Sequence, residues 1–177
     1  QPFQDAADLC ESLVFHEGHS NRLPLLGSIY MNMGIPLASI ELLEESRQAF
    51  NKAVEVFTYL KENRRLSSQS RMLQIAYLNR SELDVMLGRY KKAIKGFHKA
   101  LELNESSVKS HFPGNYKADR GNIKVHLAEA YMKAGQLGEA ALELDEGLEL
   151  LRKEHERTRD ADCLAQLKWA ESLKIRT

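Results

Sequence analysis

The stretch YLNRSELDVMLGRYKKAIKGFHKA, residues 77–100, decides the fold. Its apolar residues fall at Leu78, Val85, Met86, Tyr90, Ile94 and Phe97, and Leu101 continues the series. That is the three-and-four spacing of an amphipathic helix, and strict alternation, the mark of a half-buried strand, never persists. Leu87-Gly88 interrupts the pattern where a tight turn needs a residue that tolerates positive φ. Two antiparallel helices joined by a short turn are therefore predicted.

The same unit recurs on both sides. Upstream stand Tyr30-Met31-Asn32-Met33-Gly34, then Ser46, Phe50 and Ala53. Downstream stand Leu127-Ala128 and Tyr131, then Ala134-Gly135-Gln136-Leu137, Ala140, Leu144 and Gly147. Tyr30 to Tyr77, and Ser81 to Ala128, are each 47 residues apart, a period that marks helical repeats. Small residues at Gly34, Ser81 and Ala128 let the first helix of a pair approach the second. Phe50, Phe97 and Leu144 fill the layer between repeats, and Ala53, Ala100 and Gly147 again allow close contact. One pair cannot cover its own apolar face, so neighbouring pairs must stack.

The expected layout is a single all-α domain over 1–177, cut from a larger protein. Residues 1–14 form the second helix of a truncated repeat, with Phe3 and Ala6 in the places of Phe50 and Ala53. Full repeats follow over 20–62, 67–110 and 116–158. A terminal or capping helix over 161–177 carries Trp169-Ala-Glu-Ser-Leu173, similar to Leu127-Ala-Glu-Ala-Tyr131. Asn63-Arg-Arg-Leu-Ser-Ser68 and His111-Phe-Pro-Gly-Asn115 read as the breaks between repeats.

This pattern resembles the tetratricopeptide repeat family, and the resemblance covers nearly the whole chain. The period is longer than that family's usual repeat of about 34 residues. The family's closing Pro is missing from all three units. Lys124 stands where the family has an aromatic, Asp84 where it has Tyr, and Glu41 replaces the turn Gly. The resemblance implies a right-handed superhelical solenoid of antiparallel helix pairs. It also implies a concave groove, lined by first helices, that holds a peptide or helix of another protein. Carried over by position, the lining is Met31, Asn32 and Ile35, then Leu78, Asn79 and Glu82, then Val125, His126 and Glu129, with Ser39, Met86 and Lys133 extending it. Asn32 and Asn79 hold matching positions, and an amide that donates and accepts suits an extended backbone. A carboxylate clamp of the kind some members use is not expected, because Leu78 stands where its Lys would be. Pro36 removes a backbone donor from the first helix, should free the carbonyl of Asn32, and biases Ile35 away from helix.

Composition excludes several classes. Lys plus Arg is 25 and Asp plus Glu is 25, so nothing global points to nucleic acid or an anionic membrane. Lys91, Lys95 and Lys99 make one local basic face, and Glu139, Glu143 and Glu146 an acidic one, both read as solvated surface. No apolar run is long enough to cross a bilayer, and membrane insertion is not expected. The two cysteines, Cys10 and Cys163, read as reduced thiols in a cytoplasmic protein and not as a disulfide framework. His16-Glu-Gly-His19 is not a zinc motif, no phosphate loop or nucleophile elbow occurs, and no metal, cofactor or catalysis is expected. The alternatives to an interaction module are a scaffold subunit of a large assembly and a regulatory segment of a larger enzyme. The apolar ends of a cut stack also allow self-association.

Overall fold

The computed structural model describes residues 2–16, 18, 20–64, 67–109 and 116–174. Every α-helix and turn reported below lies within them, and none of these residues is in a strand. The chain is all-α. In order the helices are α1 (Pro2–Phe15), α2 (Leu23–Ser39), α3 (Leu43–Arg64), α4 (Ser67–Met86), α5 (Tyr90–Lys109), α6 (Tyr116–Lys133), α7 (Leu137–Thr158) and α8 (Ala161–Lys174). A single 3-10 turn, Ser20–Arg22, leads into α2. The expected break at His111–Asn115 lies outside the described residues, as do residues 65 and 66 of the other break. The chain divides into two compact units, residues 1–83 and 84–177.

In the first unit α2 packs on both α1 and α3. The α2–α3 contact depends on glycine. A Cβ at Gly27 would sit 2.7 Å from the Phe57 ring, and one at Gly34 would sit 2.6 Å from the Phe50 ring. Two antiparallel helices thus seat two phenylalanine rings over two bare patches of backbone, one turn pair apart. Ser46 Oγ donates to the Gly34 carbonyl at 2.7 Å and fixes the same approach. The turn between them is made by Glu41 at φ 62°, a left-handed conformation that costs a non-Gly residue roughly 1–2 kcal/mol. Pro36 does not end α2: Ile35 stays helical, and the chain continues to Ser39. A proline this close to the C-terminus disturbs only the last turn, where Ile40 N–H still reaches the Pro36 carbonyl at 3.2 Å.

In the second unit α6 packs on α5, α7 and α8, and α7 packs on α8. Gly88 and Gly135 supply the predicted turns with φ of 69° and 76°. Gly121 and Gly147 oppose each other across α6 and α7, and a Cβ at Gly121 would lie 3.2 Å from the Gly147 oxygen. A Cβ at Gly147 would lie 3.1 Å from the Gly121 oxygen and 2.8 Å from Val125 Cγ2. Val125, Ala128, Leu144, Leu148, Leu151, Cys163, Leu167, Ala170 and Leu173 form one core, with Met132 and Trp169 against it. Asp160 caps α8 by accepting from the backbone N–H of Asp162 and Cys163.

Candidate protein-binding faces

A first helix must bury one stripe and leave another to solvent, and the stripe is set by its small residues. On α2 the inward row is Gly27, Tyr30, Met31 and Gly34, all buried. Met31 lies one turn from both glycines, so it points into the α2–α3 contact, 7% exposed, and not into a groove. Val125 repeats this on α6. It is one turn from Gly121 and from Ala128, packs against Gly147, and is fully buried. The repeat position of Met31 and Val125 is thus buried in both helices. Leu78, at the same position on α4, is half-buried.

The next position faces outward in the first unit. Asn32 is exposed and Asn79 half-buried, and among the described residues neither amide makes a hydrogen bond within the chain. Ile35 is 53% exposed, and Glu82 is half-buried. The first unit therefore presents Asn32 and Ile35 on α2, and Leu78, Asn79 and Glu82 on α4.

The second unit treats the equivalent position differently. His126 lies against two rings, with Phe97 of α5 at 6.1 Å, nearly parallel, and Trp169 of α8 at 4.6 Å, tilted. Burial holds its imidazole far below the ordinary value, at about 4, against a small opposing pull from Glu129. Ring contacts to Phe97 and Trp169 tie α5, α6 and α8 together at His126, which remains half-buried. Glu129 is half-buried and pairs with Lys133 at 3.0 Å. Beside them His98 meets the Tyr131 hydroxyl at 3.0 Å.

Lys124 is the departure whose chemistry the sequence did not disclose. Tyr30 packs under Lys52 of α3, its ring centre 4.8 Å from Nζ. Lys124 holds the repeat position of Tyr30, and Glu146 that of Lys52, so an aromatic–cation contact becomes an ion pair. Lys124 Nζ lies 2.5 Å from Glu143 and 2.9 Å from Glu146, with the lysine side chain only 7% exposed. Burial pushes the Lys124 ammonium down, but the hydrogen bonds and charges of both carboxylates outweigh it and hold it above its ordinary value. The lysine's hydrogen bond in turn holds Glu146 below the usual carboxylate range. Sequence carried one signal for this: an acid exactly one repeat after a lysine, opposite a lost aromatic.

Among the described residues no three His, Cys, Asp or Glu side chains are grouped to hold a metal ion. His16 is exposed, and its expected neighbour His19 lies outside the described residues. Cys10 and Cys163 are buried free thiols, and burial raises both above the ordinary thiol value, which favours the unreactive protonated form. Among the described residues no helix is long and apolar enough to cross a membrane. The chain matches no protein-family model and no curated protein.

Proposed function

We propose that the helix pairs continue as one right-handed solenoid of the tetratricopeptide type, and that the chain is a non-catalytic protein-interaction module. Its first-helix faces bind a peptide or helix of another protein. The 47-residue register of turn residues at Glu41, Gly88 and Gly135 supports the repeat. The observation that carries the binding reading is the pair of amides at Asn32 and Asn79, both on first helices and both without a hydrogen bond among the described residues. An amide that spends no hydrogen bond on its own fold is available to a ligand backbone. Ile35 and the exposed part of Leu78 supply apolar contact beside them.

The test is the double variant Asn32→Ala/Asn79→Ala, measured by calorimetry against a partner captured with the wild-type chain. Affinity should fall at least tenfold, with helicity and melting unchanged. Equal affinity in the two proteins would refute the assignment of this face.

A further inference from the structure

The first turns of most helices here obey the macrodipole. Acidic residues open α1, α3, α6, α7 and α8, with Glu44 and Glu45 on α3 and Glu139 on α7. Helices α2, α4 and α5 open without an acid, and of these three only α5 places lysines in its first turn. Lys91 and Lys92 stand in the repeat positions of Glu44 and Glu45, and residues 88–99 inclusive hold five Lys or Arg and no Asp or Glu. Cations at a helix N-terminus oppose its dipole and weaken the helix. Lys91, Lys92 and Lys95 are exposed, and among the described residues no carboxylate pairs with any of them. Lys99 already pairs with Glu102 at 2.7 Å. A local rule broken without compensation inside the fold marks a place shaped by something outside it.

We infer that this face of α5 is a second docking surface, one that takes an acidic, extended segment of a partner protein. It is separate from the first-helix faces and does not depend on them. Lys91 and Lys95 are one helical turn apart, a rise of about 6 Å. Side chains on one side of an extended chain repeat at about 6.6 Å, so alternate carboxylates match them. Lysines are point charges without a bidentate fork, which suits carboxylates. RNA fits less well: Tyr90 is half-buried and His98 is bonded to Tyr131, which leaves no stacking platform. A membrane fits less well, because among the described side chains none of the exposed large apolar ones lies on α5. A second copy fits less well, because most acids of α7 are engaged: Glu143 and Glu146 with Lys124, Asp145 with Lys174, Glu149 with Lys153, and Glu154 with Arg157.

The probe is a fluorescent poly-glutamate peptide, titrated at low salt into three proteins: wild type, Lys91→Glu/Lys92→Glu/Lys95→Glu, and the charge-matched control Lys153→Glu/Lys168→Glu/Lys174→Glu. Poly-uridine and phosphatidylserine vesicles are titrated in parallel. The α5 variant should bind poly-glutamate at least tenfold more weakly than the control, while melting about 4 °C higher than wild type because its first turn now suits the dipole. Weaker binding with higher stability separates lost contact from lost fold. Equal weakening in both variants, no binding by wild type, or tighter α5-dependent binding of poly-uridine or vesicles would overturn the inference.

Discussion

Acidification should loosen the second unit through His126. In the folded chain this imidazole, between Phe97 and Trp169, takes a proton only near pH 4, whereas its ordinary value is 6.5. Above 6.5 both folded and unfolded forms are neutral, and the group contributes no pH dependence. Between 6.5 and about 4 the unfolded chain binds a proton that the folded chain refuses, so stability falls as pH falls; below about 4 the loss is complete. One pKa unit is worth 1.36 kcal/mol, so the loss reaches about 2 kcal/mol at pH 5 and about 3 kcal/mol at its limit. Other carboxylates also titrate there, so the assay is a difference. Wild type and His126→Phe are unfolded in urea at pH 7.5 and pH 5.0, followed by the fluorescence of Trp169, the sole tryptophan. Phenylalanine keeps a ring in the stack and removes the proton site. The wild type should lose about 2 kcal/mol more than the variant over this interval. Equal losses would show that His126 is not held neutral by its neighbours.

Other expected outcomes follow from single contacts. Gly147→Ala gains about 1 kcal/mol of helix propensity, but its methyl meets Val125 and the Gly121 carbonyl, and overpacking costs roughly 1–3 kcal/mol, so a thermal melt should show net destabilisation. Glu41→Gly relieves a left-handed residue and should stabilise the first unit by up to about 1 kcal/mol after the added chain entropy, read in denaturant. Phe97→Ala, at a fully buried site, should cost roughly 3–5 kcal/mol by the same measurement. Lys124→Met should cost about 1–2 kcal/mol, because Glu146 remains solvated once its partner is gone; a stabilised variant would contradict the favourable pairing described above.

The helices and their pairing were legible because they rest on local chemistry. Period, turn glycines and small residues are all visible in a single chain, and even Glu41, noted only as a departure, proved to mark a left-handed turn. What was not legible depended on rotation by one residue. Met31 and Asn32 are neighbours in sequence but differ by about 100° around α2, and a carried-over motif does not fix which of them faces Gly27 and Gly34. The ring contacts of His126 were not legible for a different reason. Its stacking partners lie 29 and 43 residues away on α5 and α8, and no local pattern announces such a meeting. The Lys124 ion pair likewise needed the α6–α7 contact to bring Glu143 and Glu146 opposite it.

The most direct measurement places a photoreactive residue at position 32 or 79, and at the exposed reference positions 55 and 152 on α3 and α7, in complex with a captured partner. The proposed function predicts adducts from 32 and 79, mapping to one continuous segment of the partner, and little from 55 or 152. Adducts from the reference positions alone would contradict it.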